Sequence, residues 1–338
     1  MITLPTPEPR DAADHYIRFL GDAVTPFHAV VECENRLRSA GFVARRLDED
    51  LKCRPGERCY VVHPDGKSLI AIHVGSRSPL DTGYAIFGAH TDSPDLRLRL
   101  NPLDEQAGCV LLTTQLHGGM IRRTWFDRPL ALAGSVFQLA RDKKGRPRFN
   151  PITGQPVLTR TLVRIDRPLA VIPELAIHLD REKNEGAAVN AQTQLNAILA
   201  TSTDADGAMK ALSVAAGVPL DAIDGFDLHL MPHSRPCRAG VDESLIVGAR
   251  HDDLAMVFAG LTGLIEASTA HPEPKNTRIG AFLDAEETGS QTASGASSAF
   301  LRDVLVRLVR QHPETPAGAD LERALSASTV VSGDMAHA

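Results

Sequence analysis

At 338 residues, 43% of them hydrophobic and 23% charged, the chain has a globular composition and enough length for two cores rather than one. Its formal net charge is −6 and its acids are spread along the sequence, which excludes a basic footprint for nucleic acid or an anionic membrane. Residues 1–16 lack the basic start and apolar run of a signal peptide, and no segment is expected to reach the roughly 20 apolar residues that span a bilayer. Of the five cysteines (Cys33, Cys53, Cys59, Cys109 and Cys237), only Cys53 and Cys59 are close in sequence. Their spacing is weak evidence for a disulfide or zinc, and reduced thiols in a cytoplasmic protein are the favoured reading.

In chain order, residues 27–40 place apolar side chains at helical spacing. RCYVVH and SLIAIHV follow as two strands around the turn PDGK, and YAIFGAH is the unbroken apolar run of a strand buried on both faces. From about residue 108, GCVLLTTQLHGG, PLALAGSVFQLA, PVLTRTLVRID and LAVIPELAIHL read as strands separated by the turn signals DKKGRP and NPITGQP. Helices are predicted near 190–200 and 205–216, then a strand in DLHLMPH. After about 245, SLIVGAR, TRIGAFLD and STVV read as strands, with amphipathic helices from Asp252 to about Ala267 and from Ser298 to about Gln311. The pattern predicts an α/β fold, a mixed sheet flanked by helices, interrupted by a β-rich insertion. The expected boundaries are 1–100 and 241–338 for the two halves of the α/β domain and 101–240 for the insertion.

Four strand-like runs end in a potential metal ligand or carboxylate pair: His90, Asp252, Glu287 and Asp334. In open α/β sheets, chemistry collects at the carboxyl ends of strands. Adjacent carboxylates such as Glu286 and Glu287 can divide the work, one binding a metal and the other moving a proton. Asp92, two residues after His90, can orient that imidazole. Taken singly, each signal also has a structural explanation. An acidic helix start accounts for Glu286 and Glu287, an N-cap for Asp252 or Asp253, and a turn for His90 or Asp334. Together they suit Zn²⁺, Mn²⁺ or Co²⁺ in a two-metal hydrolase. No G-x-G-x-x-G or Walker loop follows any strand, which argues against a nucleotide enzyme.

The words TPFHAV, GAHTDSPDLRL, HGG, TWFDRPLALAG, IPELAIHLDREKNEG, VNAQTQL, GARHDDL, DAEETGS and SGDMAHA run in order along nearly the whole chain. By these words it resembles the aspartyl aminopeptidases, dinuclear zinc exopeptidases of metallopeptidase family eighteen. The resemblance implies a zinc-exopeptidase-like fold and an enzyme that releases N-terminal, acidic residues from peptides. It implies His90 and Asp334 on one zinc, Asp252 shared by both, Glu287 on the second, and Glu286 as general base with Asp92 orienting the site. His178 would reach from the inserted domain, which mediates dimerisation, into a partner subunit's site within an assembly of twelve. The chain departs from the family at Asp95, where Cys is common, and at His251 and Asp253, in GARHDDL where GARLDNL is common. The family also continues past DMAHA to a last histidine on the second metal, for which His337 is a poor substitute. The expectation is therefore an aminopeptidase by descent, impaired by a short C-terminus. The alternatives are an inactive assembly protein or fragment, and a related two-metal deacylase or carboxypeptidase.

Overall fold

The computed structural model describes residues 11–151, 154–186, 188–315 and 321–336, and His337 lies outside them. The chain divides into two units, residues 1–93 with 235–338, and residues 94–234. The first unit opens with α1 (Ala12–Asp22), α2 (Pro26–Ser39), β1 (Val43–Arg45), β2 (Arg58–Val62), β3 (Leu69–His73), α3 (Pro79–Thr82) and β4 (Tyr84–His90). The second holds β5 (Asp95–Gln106), β6 (Cys109–His117), β7 (Leu130–Leu139), β8 (Leu158–Ala170), β9 (Ala197–Ala200), α4 (Ala205–Ala216) and β10 (Gly225–Pro232). The chain returns to the first unit with β11 (Cys237–Ala239), β12 (Leu245–Val247), α5 (His251–Ala270), β13 (Thr277–Leu283), α6 (Phe300–Gln311), α7 (Leu321–Ser326) and β14 (Thr329–Ser332).

In the first unit a mixed sheet runs in the order β1-β2-β3-β13-β4-β14. Strand β4 is parallel to both β13 and β14, so the three share a carboxyl edge. The alternation of strand side chains splits the core in two. Ile70, Ile72, Ile86 and Ile279 pack with Phe300, Val304, Leu305 and Leu308 of α6. Leu69, Ala71, Ala89 and Phe282 pack with Phe19 of α1, Leu37 of α2 and Leu254, Val257 and Leu261 of α5. Covering both faces is why these strands read as continuous apolar runs. Gly83 turns the chain into β4 with φ +65°, and a Cβ there would stand 2.1 Å from the Ala327 carbonyl oxygen. The backbone leading into β14 thus passes directly against the start of β4.

The second unit carries an antiparallel sheet in the order β8-β7-β10-β5-β6-β9, with α4 packed against it. Leu96, Leu132, Val163, Ile165, Leu212 and Leu230 lie in its core. Asp95, one of the departures from the family words, pairs with a buried histidine: His229 Nδ1 lies 2.5 Å from Asp95 Oδ2, and Nε2 lies 3.2 Å from Asp227 Oδ1.

Four expectations need correction. Of LAVIPELAIHL only Leu169 and Ala170 lie in a strand, the end of β8; Val171 and Ile172 make isolated bridges, and the rest is irregular chain and a turn. SLIVGAR does not enter the main sheet: β12 pairs only with β11 in a two-stranded ribbon, and Asp252 is carried by the start of α5. The helix expected at 190–200 is a turn followed by β9, because its apolar residues fill the edge of the second unit's sheet. And α5, at 20 residues, is long and apolar enough to cross a membrane by length and composition, although Leu254, Val257 and Leu261 are buried in the first unit's core. Strand β5 and helix α1 were not foreseen. The first alternates Arg with Leu beside a proline, and the second interleaves apolar residues such as Tyr16, Ile17, Phe19 and Leu20 with Asp14, His15 and Arg18.

His229 supplies a pH test. Burial works to lower its pKa, but Asp95 and Asp227 outweigh that and raise it to about 9. Its protonation therefore favours the folded state fully below about pH 6.5, and that contribution is lost as pH rises through about 9. Urea unfolding of Asp95→Asn should show a deficit against the parent at about pH 6 that shrinks by about pH 10. A deficit constant across that range would rule this account out.

Candidate metal centre

Four chain segments of the first unit deliver the site. His90 ends β4; Asp252 and Asp253 sit at the first turn of α5; Glu286 and Glu287 begin a short 3-10 turn after β13; Asp334 lies two residues beyond β14. The sheet register explains the convergence: His90 is paired with Leu283, and Ser332 with Gly88. Gly333 extends this order by donating its N–H to the Gly88 carbonyl at 2.8 Å. The turns into the acids adopt a sparsely populated backbone. Arg250 (φ +67°) and Ala285 (φ +63°) are left-handed without being glycine, a strain that well-determined surroundings sustain at functional sites. Neither Asp252 nor Asp253 caps α5, since Arg250 holds the N-cap position; both aspartates have non-helical dihedrals and a cis peptide joins them.

His90, Asp252, Asp253 and Asp334 each offer a ligand atom within 4.8 Å of one another. His90 Nδ1 donates to the Asp92 carbonyl at 3.0 Å, which turns Nε2 toward the acids. Nε2 stands 3.2 Å from Asp252 Oδ1, 3.8 Å from Asp334 Oδ1 and 3.9 Å from Glu286 Oε2. Asp92 is fully buried; its Oδ1 lies 3.4 Å from His90 Nδ1 and accepts the Glu286 N–H at 3.0 Å. One carboxylate thereby ties the β4 end to the turn after β13. Ser93 Oγ donates to the Asp252 carbonyl at 2.6 Å and fixes the start of α5 to the same loop. Asp284 is set apart from this chemistry: it is buried in an ion pair with Lys67 at 3.0 Å.

The electrostatics show what the cluster requires. Burial works against a charged His90, yet its hydrogen bond with Asp92 and the charges of Asp253, Asp92 and Asp252 raise its pKa to about 9. Burial raises Asp253 to about 7, despite the His90 N–H that donates to its Oδ2 at 3.1 Å. Burial and the charge of Asp252 likewise push Glu287 to about 7. Asp252 is raised by burial, with Asp334 adding to it. Acids this close repel, and a positive charge among them relieves the repulsion. The donor set, one imidazole nitrogen with several carboxylates, fits Zn²⁺, Mn²⁺ or Co²⁺. Asp253 Oδ1 is compatible with this donor set, because among the described residues it is buried with no hydrogen-bond partner, a costly state for a charged oxygen that a cation or a proton relieves.

Of the residues singled out from sequence, His90, Asp252 and Asp334 are in the tight cluster, with Asp92 and Glu286 against it. Glu287 lies outside the four, close enough to interact electrostatically with Asp252 and His90. His178 is in the second unit, exposed in a turn after β8. Asp253 is the member that sequence reasoning left out as a ligand. The doubled acid in HDD was visible, but an acid at a helix start already has a capping explanation.

Asp253→Asn tests the charge argument in protein stripped of metal. Below about pH 4 the carboxyl is protonated in both folded and unfolded chains; between its ordinary 3.8 and about 7, only the unfolded chain releases the proton. Ionisation therefore drains stability from the folded state as pH rises through that window. Metal-free Asp253→Asn should resist urea better than metal-free parent at about pH 8 and match it at about pH 4. A variant weaker than the parent at the higher pH would refute the argument.

The family model described as aminopeptidase I zinc metalloprotease (M18) matches residues 19–338. A probable M18 family aminopeptidase 2 from Clostridium acetobutylicum is 35% identical over 334 residues, covering 96% of this chain and 72% of the relative. Among solved structures, the chain in a complex of Ape4 and Nbr1 superposes with a TM-score of 0.83 at 28% identity, over 96% of this chain and 63% of that one. The S. cerevisiae mApe1 dodecamer shares the fold, with a TM-score of 0.79 at 21% identity over 97% of this chain and 72% of that one.

Proposed function

Since the chain belongs to the M18 family of aminopeptidase I zinc metalloproteases, we propose that it hydrolyses the first peptide bond of substrates with a free α-amino group, with acidic N-terminal residues preferred. The observation that carries this reading is the convergence of His90, Asp252, Asp253 and Asp334 beside Glu286. His90 and Asp334 would hold one zinc, Asp252 would be shared with a second, and Glu287 would serve that second. Bound zinc would supply a water of lowered pKa and polarise the scissile carbonyl. Glu286 takes the proton from the attacking water and returns it to the leaving amine. Asp92 is the positioning residue, for it holds the Glu286 N–H and lies beside His90 Nδ1.

The assembly reading belongs to the same proposal. Residues 101–240 form the self-association module, and His178 acts in a partner copy's site. In support, His178 sits between exposed apolar side chains, with Leu175 52%, Ile177 44% and Leu179 76% accessible. The preceding Glu174 is anchored to Arg123 at 2.7 Å and Lys183 at 2.9 Å. A cytoplasmic setting is the expected one for this reading.

Glu286→Gln keeps the shape of the side chain and removes the base. It should lower kcat by a factor of about 10² to 10⁴, while zinc content by elemental analysis stays at the parent's level. A panel of free-amino, N-acetylated and C-terminal peptide substrates decides the reaction class. Cleavage of the free-amino series alone, abolished by chelation and restored by zinc, is expected; turnover of blocked amines would point to a deacylase, and no turnover by a zinc-loaded assembly to a non-catalytic role.

Leu179→Asp places a charge on the proposed contact. Light scattering should show a smaller species than the parent, with the zinc content of each chain unchanged. An unchanged assembly would remove this segment from the interface.

A further inference from the structure

Cys53 and Cys59 were the one cysteine pair close in sequence, and the zinc centre makes no use of them. Their Sγ atoms stand 3.0 Å apart, hydrogen-bonded to each other. Cys59 lies in β2, opposite Val43 of β1, and is fully buried; Cys53 is 8% accessible, in the irregular stretch that leads into β2. Both belong to the core that contains Leu51, Val61 and Ile72. A metal reading fails here, because among the described residues this pair gathers no third His, Cys, Asp or Glu into a ligand group.

Arg45 is the second observation. It lies two residues along β1 from Val43, so it shares the face on which Cys59 and Val61 stand. Its guanidinium pairs with Glu57, yet its Nε is buried with no hydrogen-bond partner. Arg45 beside two touching thiols favours the thiolate, the reactive form of cysteine, although burial and the charge of its partner Glu57 oppose it. The thiols are also unequal: the hydrogen bond from Cys59 lowers the pKa of Cys53, with Arg45 adding to it, whereas the same hydrogen bond and burial push Cys59 well up.

We propose that Cys53 and Cys59 are a peroxide-responsive dithiol that closes reversibly into an intramolecular disulfide. Cys53 is the attacking thiol, since it alone of the pair has any opening to solvent. Its sulfur takes one oxygen from hydrogen peroxide, the O–O bond breaks, and one water leaves. Cys59 Sγ then attacks the Cys53 sulfur; the S–S bond forms, the S–O bond breaks, and the hydroxyl leaves with the Cys59 proton as a second water. Two thiols are oxidised and one peroxide is reduced to two waters. The sulfurs must close by about 1 Å to reach bonding distance, and the segment before β2 lacks regular structure to oppose that movement. The proposal does not depend on the zinc-peptidase reading.

The test treats the reduced full-length chain with hydrogen peroxide, then blocks remaining thiols and maps peptides by mass. The expected product has lost two hydrogens, carries a Cys53–Cys59 link, and returns to the starting mass with dithiothreitol. Cys53→Ser and Cys59→Ser should each abolish the link, while Cys237→Ser, which removes an exposed thiol, should leave it intact. The oxidised parent should melt at a higher temperature than the reduced parent, because the link restricts the unfolded chain. Peroxide that leaves both thiols open to alkylation, or adds oxygen to Cys53 without linking it, overturns the proposal. So does a link that forms in urea-unfolded protein and not in the native one.

Discussion

The site depends on the parallel pairing of β4 with a strand on each side. Because β13 and β14 both run with β4, chain segments at 84–90, 277–283 and 329–332 emerge at one edge. An antiparallel neighbour would send its acid to the opposite edge. A one-residue slip would turn the side chains of the whole strand to the other face. The register is guarded from both faces: Phe87 and Ala89 of β4 face the α5 side, and Tyr84 and Ile86 the α6 side. The backbone also approaches closely at Gly83 and Ala327. Precision in the metal cluster is thus inherited from core packing, with Asp92 and Ser93 adding the final ties between loops.

Much of the fold was readable because its periodicity is simple. YAIFGAH and the IGAFL of TRIGAFL are apolar runs, the mark of strands with helices on both faces, and both lie inside the sheet as expected; STVV joins it as the edge strand β14, whose Val330 and Val331 stay exposed. His90, Asp252 and Asp334 were legible for the same reason, standing at or just past the ends of such runs. The errors have a common source. SLIVGAR has strand propensity, but Leu245 and Val247 remain exposed in a ribbon, so its pattern carried no information about which sheet it joins. The 190–200 segment is short and apolar, where period alone does not separate helix from strand. Strand β5 does carry the alternation of a half-buried strand, Leu96 and Leu98 on one face and Arg97 and Arg99 on the other; what its sequence did not show is that Arg97 is held by Asp227 and Arg99 by the Thr114 carbonyl.

The site's composition was easier to read than its ranking of residues. Sequence spacing offers Glu287 and Asp253 on equal terms, each the second of two adjacent acids. Only the geometry separates them: Asp253 is buried against the His90 backbone, and Glu287 is partly exposed across a turn. Local sequence specifies that acids stand at a strand or helix end. The tertiary structure decides which of them loses its water.

The two aspartates that depart from the family words show how differently a buried acid can be accommodated. Asp95 faces His229 and, with Asp227, raises its pKa, so the charged imidazole is met within the chain, although Asp95 Oδ1 is buried without a hydrogen-bond partner among the described residues. Asp253 has one backbone N–H for one oxygen and nothing for the second. The positive charge that acts on it is that of His90, whose imidazole is already shared with Asp92 and Asp252. One imidazolium cannot neutralise that many carboxylates, and charges about 4 Å apart still repel by about 4 kcal/mol at an effective dielectric of 20. Asp253 is relieved by its own proton below about pH 7, and a cation in the cluster could relieve it above that. Above about pH 7 the same extra acid therefore burdens the metal-free fold.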